Sequence, residues 1–273
     1  MAGATSSSVH GIETGGGSRL ILRLFTNEEW LSHEPDLAAH EAWALQRAAE
    51  AGIPTPGLVA FDETGEEAGV PAVLMTRLEG RVDLNPADMT QWLEKMAETL
   101  IPLHQLSADD SQWTYYPYID LETLATPSWS ANPRAWERAI SIVQGGPPEE
   151  WTCFIHRDYH PNNVLWEEDR LSGIVDWPNA CRGPAMIDLA HCRQNLAQMY
   201  GIEPAAQFLT AYIQLADKSF SYHPYWDLIA LVEHLAETPR VYPGWPAHGL
   251  TNLTPEVVRQ RLDNYIANVL SNF

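Results

Sequence analysis

The densest run of residues able to do chemistry holds His156, Asp158, His160 and Asn163 within eight positions, and Asp176 follows at the end of the apolar run Gly173-Ile-Val. Moving a phosphoryl group onto a hydroxyl needs an acceptor for the hydroxyl proton. It also needs oxygen ligands that hold Mg²⁺ against the phosphates, because such catalysis is mostly positioning and charge stabilisation. His156-x-Asp158 with Asn163 five residues later fits the H-x-D-x-x-x-x-N pattern of a phosphoryl-transfer loop, and Asp176 stands where a metal-binding carboxylate is expected. One β-hairpin separates Asn163 from Asp176, which returns both oxygen ligands to the same edge. Metal-assisted hydrolysis is the rival chemistry, since His156, Asp158 and His160 are ligand types with the two imidazoles at i and i+4. That spacing converges only on a helix, and Pro161 opposes one. The chain has no G-x-S-x-G and no G-x-x-x-x-G-K-[ST].

These residues need elements that bring them together. Residues 4–13, rich in Ser and Thr, the turn Gly15-Gly-Gly-Ser18 and the apolar residues 19–25 predict a hairpin. Residues 35–51 carry Leu37, Ala38, Trp43, Ala44 and Ala48 on a helical stripe that Gly52 caps. Residues 58–61 and 70–75 supply two more strands, and this small, mostly antiparallel lobe ends near Gly80. Asn85 then offers an N-cap, with Pro86 at the first helical position, for a helix carrying Met89, Trp92, Met96 and Leu100. A second helix is expected over 133–143, and a hairpin joins 163–166 to 171–175. Beyond Gly183 the pattern is helical, closing with Thr254 and Pro255 ahead of Val258, Leu262 and Ile266. The expected class is α+β, with a β-rich lobe over residues 1–78, a larger mainly helical lobe over 79–273, and a cleft between them.

The 273 residues balance 16 Lys and Arg against 36 Asp and Glu, a net charge of −20. That opposes binding to a nucleic-acid backbone; a solvated acidic surface and steering of a cationic partner both fit it. Cys153, Cys181 and Cys192 form no C-x-x-C pair, which suits neither a disulfide framework nor a zinc ribbon, and a cytoplasmic setting is expected. The first residues lack a basic and apolar leader, and no stretch approaches the roughly 20 apolar residues that span a bilayer. Neither a membrane nor an obligate protein partner is expected.

In these motifs and their order the chain resembles the aminoglycoside phosphotransferase family, the small-molecule branch of the protein-kinase-like fold. The resemblance runs from Gly3-Ala-Thr-Ser-Ser-Ser through Leu20-Ile-Leu-Arg23 into the helical half, and is strongest at His156 to Asn163, Asp176 and Gly183-Pro-Ala-Met-Ile-Asp188. It implies Mg²⁺-dependent transfer of the γ-phosphate of ATP or GTP to a small-molecule hydroxyl. By that resemblance Asp158 is the base or the residue that orients the hydroxyl, Asn163 and Asp176 hold Mg²⁺, and His156 and Asp188 support the catalytic loop. Ser6, Ser7 and Ser8 cover the phosphates, while Met75, Thr76 and Leu78 receive the nucleotide base, Leu78 through its backbone N–H. Arg23 stands where the family carries a phosphate-pairing Lys; its fork suits two phosphate oxygens or a carboxylate. Glu41 is its best-matched helix partner and Glu34 the runner-up. Met1 stands so near Gly3 that either the strand usually preceding the phosphate loop is missing or the recorded start is too late. Residues 177–187 are too few for a long phosphorylated activation segment, although Arg157 precedes Asp158 as in protein kinases.

The acceptor is sought in residues 222–237, read as a helix with Trp226, Glu233 and Glu237 on one face. An aromatic ring beside two carboxylates suits an organic cation, and ordinary surface acids with a packed Trp explain the same pattern. The resemblance covers kinases of aminoglycosides, macrolides, choline-like alcohols, homoserine and sugars; the charge favours an aminoglycoside-like cation. A nucleotide-binding pseudokinase is the alternative from another class, against which the complete set Asp158, Asn163 and Asp176 speaks.

Overall fold

The computed structural model describes residues 7–233, 235 and 237–273. Strands β1 (Ser8–Glu13) and β2 (Arg19–Leu24) form the expected hairpin, though residues 4–6 of that expectation, Ser6 among them, lie outside the described residues. A short helix that the sequence reading lacked, α1 (Glu28–His33), is capped by Asn27, whose side chain accepts from the Trp30 N–H at 3.0 Å. Helix α2 (Leu37–Glu50) and strands β3 (Leu58–Asp62) and β4 (Ala72–Thr76) follow, giving an antiparallel sheet ordered β1-β2-β4-β3. Alternation along β2 turns Ile21 and Arg23 to the buried face, so a guanidinium is aimed at the core. The buried stripe of α2 runs Leu37, Glu41, Leu45 and Ala48, which sets a carboxylate in the middle of the same interface.

The larger lobe opens with α3 (Met89–His104). Its cap is Asp88 rather than the expected Asn85: the Asp88 carboxylate accepts from the Gln91 N–H at 3.0 Å, and its charge suits the helix dipole directly ahead of the apolar stripe. Then come α4 (Pro133–Gln144), β5 (Thr152–Ile155), β6 (Val164–Glu167), β7 (Arg170–Ile174) and β8 (Cys181–Pro184). β6 and β7 form the anticipated hairpin; β5 pairs with β8 in a ribbon whose four-residue strands left too little alternation to read.

Helix α5 (Met186–Tyr200) is buried nearly all round, as a helix inside its lobe must be. It packs against α6 (Ile202–Leu215), α7 (Tyr225–Val232) and α9 (Pro255–Leu270), with the single turn α8 (Gly244–Ala247) between the last two. Arg193 on α5 pairs with buried Asp227 on α7, which also accepts from the Tyr265 hydroxyl at 2.8 Å. Residues 222–237 are not one helix: α7 ends at Val232, the Leu235 N–H closes a turn on Val232 O at 3.0 Å, and Pro239 bars continuation. The N–H of Glu233, the C-cap, still donates to Ile229 O at 3.1 Å, so Glu233 keeps helical register with Trp226 and both meet Tyr115. Glu237 lies beyond the helix and does not share that face, and Trp226 itself lies in the core, edge-on to Tyr115. Among the described residues no helix is long and apolar enough to cross a membrane.

Candidate active site

The loop between β5 and β6 is gripped from the core. Asp188, in the first turn of α5 and fully buried, accepts from the His156 N–H at 2.8 Å and the Arg157 N–H at 2.6 Å. It also meets His104 Nε2 at 3.0 Å. That grip holds Arg157 at φ 67°, a left-handed conformation that costs a non-glycine residue free energy and here turns Asp158 toward the cleft. The Arg157 guanidinium lies 3.9 Å from the Tyr118 ring centroid and 4.5 Å from that of Tyr116, and donates to Tyr116 O at 2.6 Å. The two nitrogens of His156 are used inside the loop, Nε2 on Val175 O at 3.0 Å and Nδ1 accepting from the Asp158 N–H at 3.3 Å. The Asn163 amide donates to Asp158 O at 2.9 Å and Asp158 Oδ2 at 3.1 Å, which leaves its own oxygen for the cleft.

Asp176 is placed by backbone pairing. The Val175 N–H donates to Asn163 O at 2.9 Å, so the next residue, itself left-handed at φ 73°, stands beside Asn163. Arg23 crosses from the sheet to Asp176 Oδ1 at 2.7 Å and to Glu41 at 3.4 Å. Glu34 is engaged elsewhere, with the Tyr116 hydroxyl and Trp30 Nε1. Burial pushes the Glu41 carboxyl up to about 7, with Arg23 opposing and Asp176 adding to the rise. For Arg23 burial works against the charge, but Glu41 and Asp176 outweigh it and its pKa is raised. The carboxylate and amide oxygens of Asp176 and Asn163 are the hard donors that Mg²⁺ takes.

Burial would raise the Asp158 carboxyl, yet His160, His191 and His156 together hold it well below the usual carboxylate range. His191 Nε2 is 3.1 Å from Asp158 Oδ1 and His160 Nε2 is 3.7 Å away. His160 is pushed down to about 4, chiefly by burial; His191 is raised, its contact with Asp158 exceeding the effect of burial. His191 was invisible to motif reading because it sits on α5, 33 positions beyond Asp158 in sequence. A spacing signal did exist: His191, Asn195 and Gln198 stand at i, i+4 and i+7 of one helix and line the cleft together.

The cleft is a cavity of about 760 Å³ that brings together Ser7, Arg23, Asp158, Asn163, Asp176 and Glu237. Glu41 stands behind Arg23 and Ser8 begins β1; Met75 and Thr76, which end β4, and Leu78, two residues beyond, do not line this cavity. A side pocket of about 170 Å³ opens beside Asp158 and His191, and Glu233 enters it with Tyr115 and Tyr118. Glu233 accepts only long hydrogen bonds there, 3.4 Å from the Tyr118 N–H and 3.5 Å from the Tyr115 hydroxyl, and burial raises its pKa. Trp226 lines neither cavity.

Residues 2–228 match the phosphotransferase enzyme family. Homoserine kinase of Brucella ovis is 27% identical over 167 residues, 54% of this chain and 49% of the relative, so the match spans about half the length of such curated relatives. Among solved structures, an aminoglycoside-3'-phosphotransferase of type VIII superposes with a TM-score of 0.59 at 23% identity, covering 83% of this chain and 89% of that one. A thermostable mutant of aminoglycoside phosphotransferase APH(4)-Ia, in ternary complex with AMP-PNP and hygromycin B, gives 0.63 at 15% identity over 98% and 92% of the two chains. With a β-rich lobe, a helical lobe and a match over most of its length, the chain belongs to the phosphotransferase enzyme family.

Proposed function

We propose that the protein transfers the γ-phosphate of ATP or GTP, as its Mg²⁺ complex, to a hydroxyl of a small amine-bearing molecule. The observation that carries this reading is the Asp158 carboxylate, held by the Asp188-anchored loop in one cleft with the oxygen pair Asn163 and Asp176. Asp158 accepts the proton of the acceptor hydroxyl; Arg23 exchanges its contact with Asp176 for phosphate oxygens while Glu41 keeps its orientation. Asn163 and Asp176 would hold Mg²⁺, which when bound would supply charge neutralisation on the transferred group. Glu233 supports an amine-bearing acceptor, because its half-buried carboxylate shares a pocket with Asp158 and, although Arg157 and His191 line the same pocket, forms no ion pair among the described residues. Glu237 adds a second carboxylate in the main cleft. The homoserine and hygromycin B named for the relatives both fit a hydroxyl compound with an amine.

The test is nucleotide consumption with ATP and with GTP, each with and without Mg²⁺, against aminoglycosides, macrolides, choline, homoserine and simple sugars. ADP or GDP release confined to amine-bearing acceptors is expected; turnover confined to neutral or anionic ones would overturn the acceptor class. Mg²⁺-dependent nucleotide binding with no release on any acceptor would favour the pseudokinase. Asp176→Ala should weaken Mg²⁺-nucleotide binding by about tenfold or more in a calorimetric titration, and an unchanged affinity would remove Asp176 from the metal site.

A further inference from the structure

Asp158 Oδ1 meets two imidazoles, His191 Nε2 at 3.1 Å and His160 Nε2 at 3.7 Å, and the three ligating atoms all lie within 4.8 Å of one another. Four-coordinate Zn²⁺, with bonds of about 2.0–2.1 Å, sets its ligand atoms roughly 3.3 Å apart, and the two measured separations bracket that spacing. A hydrogen bond accounts for His191 but not for His160. The His160 Nε2 is beyond hydrogen-bond distance of Asp158, and its Nδ1 is buried with no partner among the described residues. The Nε2, which faces Asp158 Oδ1 at 3.7 Å with no hydrogen bond between them, would gain a partner from a cation placed between the two. Both nitrogen donors disfavour Mg²⁺ and select Zn²⁺ or a similar borderline cation. All three residues line the main cleft, so a fourth position stays open to solvent.

We propose that Asp158, His160 and His191 form a second divalent-cation site, selective for Zn²⁺ over Mg²⁺ and separate from the oxygen pair Asn163 and Asp176. An occupied site ties up Asp158 Oδ1, the atom that would otherwise face the acceptor hydroxyl. Zn²⁺ is thus an inhibitor competitive with the acceptor and not relieved by excess Mg²⁺. That kinetic consequence rests on Asp158 being the base, whereas the binding itself does not.

The experiment is a calorimetric titration of the full chain with ZnCl₂ in excess MgCl₂, run beside visible spectra with CoCl₂. One tight equivalent is expected, and cobalt should show the ligand-field bands of a four-coordinate site. His160→Ala and His191→Ala should each lower Zn²⁺ affinity by about tenfold or more, and His33→Ala, at an exposed residue, should not. Near-UV circular dichroism checks that each variant is folded; if His191→Ala is not, His160→Ala decides, since among the described residues that ring makes no hydrogen bond for folding to lose. No Zn²⁺ binding in excess Mg²⁺, or equal binding by wild type and both histidine variants, would overturn the site.

Discussion

Asp158→Asn should lower turnover by about 10²–10⁴-fold while Mg²⁺-nucleotide binding stays unchanged. The amide matches the carboxylate in shape and still accepts from the Asn163 amide, so the loop keeps its course. What it loses is the capacity to take a proton and the charge that faces His191 and His160. Pre-steady-state release of ADP on the best acceptor, beside calorimetry with nucleotide, separates chemistry from binding. Near-normal turnover would show that another group takes the proton, and weakened nucleotide binding would show that Asp158 serves the metal instead.

Asp188→Ala should be the most destabilising single change in the catalytic apparatus. It strands the His156 and Arg157 N–H groups in the interior and removes one of the two partners of His104, leaving the Tyr212 hydroxyl. A buried donor without a partner costs about 1–3 kcal/mol, so the loss is on the order of 3 kcal/mol or more. Urea denaturation should show a lower midpoint with little change in slope. Activity should fall further than the folded fraction does, because the left-handed Arg157 depends on the same two bonds. Asp188→Asn, which retains one acceptor oxygen, should lie between the two; a midpoint equal to wild type for Asp188→Ala would contradict this account.

The loop from His156 to Asn163 was legible because its chemistry is local: every member lies within one turn of chain and its order is fixed by covalent spacing. Arg23 opposite Glu41 was legible too, since strand alternation and helical spacing each place a charge on a buried face. The cap of α3 was misplaced by three residues because Asn85-Pro and Asp88 are both competent starts, and only packing of the apolar stripe chooses between them. The face joining Trp226, Glu233 and Glu237 failed for a different reason. Helical periodicity continued to Glu237 in sequence, while the chain leaves the helix after Glu233, whose carboxylate meets the Tyr115 and Tyr118 loop across more than a hundred residues. His191 was missed on the same ground, as its partner is distant in sequence.

Helix α5 carries the anchor Asp188, the Asp158 neighbour His191 and the buried ion Arg193 within two turns, while Asn195 and Gln198 continue its cleft-facing side. One element is thereby both foundation and tool, which ties stability and chemistry into a single heritable unit. Variation there risks the fold and the reaction at once, so new acceptor preferences have to arise where mutation is cheap: in Glu237, Thr238 and Arg240, exposed residues that wall the cleft.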